Sequence, residues 1–191
     1  MASVLRFDNW QNSDGTSIAT TDASGNISFA GSLGATAGVG KILQVVSTTK
    51  TDTFSTSVSD VGSEVNITGL SATITPSSTS SKILVMYSIN VSQGTDTTAG
   101  VGGVLRRDST DIFVGTDGTS FTTTNYIRYF DNDDNMAVFV GQYLDSPATT
   151  SSVTYQYAVR SVSTGTVYVN RRGASTSAGL ASSITVMEVS A

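Results

Sequence analysis

Residues 81–92, SKILVMYSINVS, alternate side-chain character with a period of two. Ile83, Val85, Tyr87, Ile89 and Val91 fall on one side; Lys82, Leu84, Met86, Ser88, Asn90 and Ser92 fall on the other. Successive side chains of a strand point to opposite faces, so this spacing specifies a half-buried antiparallel strand. Residues 151–162 repeat the signature, with Val153, Tyr155, Tyr157 and Val159 opposing Thr154, Gln156, Ala158 and Arg160. Residues 136–144 differ: Met136, Val138, Val140 and Leu144 oppose Ala137, Phe139 and Tyr143. Both faces of that segment call for cover, as in a strand with a core on one side and a neighbouring subunit on the other.

Further strands are expected at residues 42–46, 51–57, 64–67, 70–75, 101–107, 112–115, 126–130, 166–170 and 183–189. They recur every 8–14 residues, with Gly, Asp, Asn or Ser clusters between most of them. No window of a dozen residues carries a 3.6-residue period, and the abundant Thr and Val lose χ1 freedom in helices. The expected fold is all-β: an antiparallel β-sandwich (jelly roll), preceded by an extended N-terminal arm.

That arm is residues 1–30, separated by a Gly-rich linker at 31–40 (GSLGATAGVG) from the β-domain at 41–191. Thirty residues are too few to build a core, yet they hold the only Trp and two of the seven Phe. Leu5, Phe7, Trp10, Ile27 and Phe29 are therefore the candidate partner-docking residues, the alternative being that the arm packs on its own domain. Asp14-Gly15 and Ser24-Gly25-Asn26 are turn punctuation within it.

Composition removes most chemistry. The 191 residues include no Cys and no His, which excludes disulfides, thiolate-held metals, Ser-His-Asp triads and His-ligated metals. Polarity comes from 30 Ser and 29 Thr, while charged residues are only 13% of the chain. The net charge of −5 opposes nucleic-acid binding, which uses a clustered basic footprint. No apolar run approaches the roughly 18 residues of a membrane span, so no membrane insertion is expected.

The remaining constellations are weak. Asp131, Asp133 and Asn135 have the spacing that opens a calcium loop, but Met136 replaces the turn glycine and Gln142 the bidentate Glu. Glu64 and Glu188 sit inside strand patterns, which disfavours a paired-carboxylate hydrolase. Lys41, Lys50 and Lys82 lie at strand edges or starts, without a nucleophile motif. In Arg106-Arg107 and Arg171-Arg172, adjacent strand residues point to opposite faces, so structural salt bridges to a neighbour are expected instead of a phosphate clamp. Tyr155 and Tyr157 read as core; Tyr126 and Tyr168, near strand ends, are candidates for glycan contact. No catalytic, cofactor-binding or metal-ligating residue is assigned.

Three stretches carry a family resemblance: TTDASGNISFAGSLG at 20–34, GKILQVVSTTKTDTFSTS from 40, and ITGLSATITPSSTSSKILVMYSINVS from 67. With LRRDSTDIFVGT from 105, they resemble bacteriophage tail-fibre proteins, especially those of marine and cyanobacterial phages. The layout is also similar to trimeric jelly rolls of the tumour-necrosis-factor type. The resemblance implies a non-enzymatic virion protein, a short homotrimeric fibre whose arm docks on other virion proteins and whose β-domain projects, with host attachment as its task. A lectin-like module reading host-surface glycan and a capsid decoration protein are the alternatives.

Overall fold

The computed structural model describes residues 9–11, 13–29, 41–58, 63–94, 100–116, 122–128, 135–161, 165–173 and 179–190. Among these residues the regular structure is β-strand throughout, and the chain divides into two compact units, Met1–Val39 and Gly40–Ala191.

In the first unit, β1 (Asn9–Gln11), β2 (Ser17–Thr21) and β3 (Ile27–Phe29) form an antiparallel meander. The stretch expected to be extended is thus folded back twice. Its turn residues explain why. Gly15 and Gly25 adopt φ of 85° and 82°, which side-chain-bearing residues avoid. Asp22 Oδ1 accepts from the Ser24 and Asn26 backbone N–H groups, closing the second turn. The linker at 31–40 lies outside the described residues.

The second unit is a two-sheet sandwich. One sheet is built on β7 (Lys82–Gln93): β11 (Ala137–Asp145) pairs one of its edges, while β14 (Ser182–Val189) and then β13 (Gly165–Val169) pair the other, with β4 (Ile42–Lys50) beyond β14 and β5 (Phe54–Val58) beyond β13. The other runs β6 (Val65–Ile74), β12 (Val153–Ser161), β8 (Val101–Arg107) and β10 (Asn125–Ile127), with β9 (Thr110–Ile112) also pairing β8. Count only the eight strands β4, β6, β7, β8, β10, β11, β12 and β14. The first, eighth, third and sixth lie side by side and face the second, seventh, fourth and fifth, which is jelly-roll connectivity.

The period-two pattern places the core where the sequence put it. Ile83, Val85, Tyr87, Ile89 and Val91 of β7 face Val153, Tyr155, Tyr157 and Val159 of β12 within one buried cluster. Two expected strands, 64–67 and 70–75, are one strand interrupted by a bulge: Gln156 pairs Ser71 while Ala158 pairs Asn66. Gly69, at φ 80°, supplies the left-handed residue that such a bulge takes.

Candidate functional site

The outer face of the β4-β14-β7-β11 sheet carries an apolar row among Ser, Thr, Asn and Gln side chains. Register puts Val45 beside Met187, Met187 beside Leu84, and Leu84 beside Leu144, a row crossing four strands. Val138, Val140 and Leu144 are 55%, 65% and 52% exposed, although β11 turns Phe139 into the core. The expectation that both faces of residues 136–144 want cover is thus met on one side only within this chain. Between β14, β7 and β11 the face is hollowed into a depression of about 410 Å³, lined by Met86, Ser88, Val140, Gln142, Ser183 and Thr185 among others. Small hydroxylated residues stand there between larger apolar ones.

The outer face of the opposite sheet is closed by charge. Val104 and Ala158 pair across β8 and β12 and point outward, yet both are buried. Their roof is an ion network in which the Glu64 carboxylate pairs with both Arg106 and Arg160. Arg106 Nε also donates to Asp111 Oδ1 at 2.8 Å, and Arg160 Nη1 donates to the Thr122 carbonyl at 3.0 Å. Arg107, the next residue, points inward and donates through Nη1 to both oxygens of buried Asp145, at 3.0 and 2.8 Å. The adjacent arginines do face opposite ways, and Arg106 and Arg107 each find carboxylate partners within the chain.

Three tyrosines tie the sheets together. The Tyr87 and Tyr157 rings lie 4.8 Å apart, and both hydroxyls donate to Asn125 Oδ1 at 2.7 Å. Gly141 and Gly103 make room, because a Cβ at either would run into the Tyr87 or Tyr157 hydroxyl. Burial pushes the Tyr87 phenol up to about 12 and raises Tyr157 and Tyr155 further; Tyr155 also donates to Asp145 Oδ2 at 2.7 Å. These groups are structural.

The two glycan candidates fall in different sheets, Tyr126 on β10 and Tyr168 on β13. Tyr126 is exposed. The Arg171 guanidinium lies 4.4 Å from the centre of the Tyr168 ring and occupies one of its faces.

Of the docking candidates, Trp10 and Ile27 lie on one face of the N-terminal meander. Trp10 and Phe29 both pair with Ala19, and Ile27 pairs with Thr21, two residues on. Trp10 and Ile27 are 63% and 61% exposed. Leu5 and Phe7 lie outside the described residues.

Catalytic arrangements find little support in the geometry. Glu64 is engaged in the roof. Glu188 is buried, which opposes its charge, but donors from Ser77, Gln44 and Ser81 outweigh burial and hold its carboxyl down at about 2. Ser77 donates to Glu188 Oε1 through both N and Oγ, at 2.7 and 2.6 Å, and Gln44 Nε2 donates to Oε2 at 2.6 Å. Lys82 Nζ donates to Ser146 Oγ at 2.7 Å, but on the exposed surface, without the apolar enclosure that a Ser-Lys nucleophile needs. Buried Lys50 is paired with Asp52 at 2.8 Å. Among the described residues no three carboxylates gather into a cation site; Asp131 and Asp133 of the expected loop lie outside them. The sequence reading missed the ionic roof, because Glu64, Arg106 and Arg160 are far apart along the chain and no local motif links them.

No known protein family matches the sequence, and no curated protein matches it. The fold is similar to a mutant VP2 protein of infectious bursal disease virus in derived T=1 particles: TM-score 0.42 and 13% identity, over 76% of this chain and 36% of that one. The Gt strain of the same virus gives 0.42 and 13%, over 77% and 42%, and the Gx strain gives 0.36 and 16%, over 76% and 41%. This chain thus spans about two fifths of the chains it resembles. Likeness at this level carries no functional argument.

Proposed function

We propose that this chain is a non-enzymatic structural protein of a bacteriophage virion: a short homotrimeric fibre docked through residues 1–30 and projecting the jelly roll toward the host. The observation that carries it is the uncovered apolar row of the N-terminal meander, where Trp10 and Ile27 stand exposed on one face. A sheet buries its apolar face on a second layer, and a three-stranded meander of single-turn connections is too small to supply one. A docking partner supplies it. The resemblance of residues 20–34 and of the segments from 40, 67 and 105 to tail-fibre sequences supports a virion protein as that partner. The test is incorporation of the chain into phage particles with and without residues 1–30. Loss of incorporation with the β-domain still folded is expected; unchanged incorporation overturns the docking role.

Exposed Tyr126 at one end of the sandwich favours a second reading, a lectin-like tip that contacts host-surface glycan. A glycan array probed with the wild-type chain and Tyr126→Ala separates the two. Binding lost in the variant supports the tip reading, and no binding by either chain removes it.

A further inference from the structure

We propose that the outer face of the β4-β14-β7-β11 sheet is where copies of this chain pack on one another. The inference rests on the reading of the chain as a self-assembling protein, and names the surface that does it. The first support is the four-strand row Val45, Met187, Leu84 and Leu144, continued along β11 by exposed Val140 and Val138. Contiguous exposed apolar surface of this kind marks an interaction site. Among the described residues β11 is also a nine-residue edge strand with an apolar outer side, a hazard for open-ended pairing unless something covers it.

Charge selects the occupant. The chain carries 15 Asp and Glu against 10 Lys and Arg. None of those acids takes an outward position on these four strands; Asp145 and Glu188 point inward and are buried. Among the described residues of the four strands, the one outward charge is Lys82, at the start of β7 and bonded to Ser146. Copies of a chain of net charge −5 repel one another, and an uncharged face is where they meet with least penalty. A strongly charged partner, such as a nucleic acid, finds no complement there.

Size and shape agree. Four strands at their usual spacing, each about nine residues long, span roughly 19 Å by 30 Å, or about 570 Å² per copy. Gathered about the threefold axis of the proposed trimer, with each face covered by its two neighbours, three such faces bury about 1,700 Å² in all. The face also carries both a ridge, along Val138, Val140 and Leu144, and a hollow of about 410 Å³ beside it. A surface that must fit its own copy needs both.

The test is the native mass of the full chain over a range of concentrations, for wild type, Val140→Glu, Leu144→Glu and the opposite-face control Thr73→Glu. Wild type and the control are expected to be oligomeric. The two β11 variants should associate about 100-fold more weakly or worse, because each contact then buries an unpaired carboxylate. Far-ultraviolet circular dichroism checks that each remains folded, and Val140→Ser and Leu144→Ser, expected to weaken association less, replace any that does not. A wild-type chain monomeric at every concentration overturns both the self-assembly reading and this inference. An oligomer unaffected by all the β11 substitutions leaves self-assembly standing and overturns the choice of face. A monomer that captures a different chain through this face overturns the second copy as its occupant.

Discussion

The two outer faces of the sandwich solve one problem differently. On the β6-β12-β8 side, outward Val104 and Ala158 are buried beneath guanidinium groups of the same chain, held by Glu64. On the β4-β14-β7-β11 side, outward Val45, Leu144 and Val140 have no such roof and stand exposed. Arg106 and Arg160 stand on the same outward face as Val104 and Ala158, Glu64 neutralises their heads, and long basic side chains of this kind cover apolar surface with their carbon stems. A charged roof closes a face to partners as well as to water. The bare face stays open, and the proposed packing of copies would close it.

The largest effect should come from breaking the roof. Glu64→Gln leaves the buried Arg160 guanidinium without its carboxylate, and breaking a buried pair from one side costs about 3–5 kcal/mol. Urea denaturation of dilute protein measures it. A loss below about 1 kcal/mol would show that the network is decoration and that Val104 and Ala158 are covered by something else.

A matched pair of substitutions then compares the faces directly. Val104→Thr places a hydroxyl under the roof and should cost about 1–3 kcal/mol. Val140→Thr, at a position 65% exposed, should change monomer stability by no more than about 0.5 kcal/mol. Equal losses in dilute solution would erase the distinction.

The inner sides should behave alike. Gly103 belongs to the roofed sheet and Gly141 to the bare one, and each gives space to a tyrosine hydroxyl from across or beside it. Gly103→Ala and Gly141→Ala should each cost about 1–3 kcal/mol by overpacking and disturb the shared Asn125 hydrogen bonds. If only one is harmful, the core is less evenly packed than the geometry states.

What the sequence revealed and what it hid divide along the same line. Alternation in residues 81–92 and 151–162 located the core strands, and the two-sided pattern of 136–144 pointed to the bare face, because register effects are local and periodic. The roof was invisible because its three charges meet only through tertiary pairing. The division of residues 64–75 into two strands failed at one glycine, whose positive φ at Gly69 lets the strand bulge and continue. Nothing local marks Phe113, which holds φ 55° while stacked 4.9 Å from Tyr143. Among the docking candidates, the register that sets Trp10 and Phe29 opposite Ala19 followed from turn residues that the sequence did show.

Acid should act on the inner side of the bare sheet. Glu188 falls from its ordinary 4.5 to about 2 in the fold, so its stabilisation is complete above about pH 4.5. It is lost as pH falls from there through about 2, when the folded protein must also take up the proton. Glu188→Gln should flatten that part of the stability profile, measured by thermal denaturation between pH 5 and about 2. An unchanged slope would assign the acid response to other carboxylates.

The smallest difference is the most discriminating. Thr73 and Thr154 share a hydroxyl contact of 2.9 Å on the roofed sheet, and Ser47 and Thr185 share one of 2.8 Å on the bare sheet. Cross-strand pairs of this kind contribute roughly 0.2–1 kcal/mol, so Thr154→Ala and Thr185→Ala should lower monomer stability about equally. Thr185 also lines the hollow of the bare face, whereas Thr154 lies on the opposite sheet. If copies pack through this face as proposed, the two variants should match in dilute solution and part at high concentration, where only Thr185→Ala alters the contact. Parallel denaturation curves at two protein concentrations measure the gap, and its absence would mean that the hollow is not part of the contact.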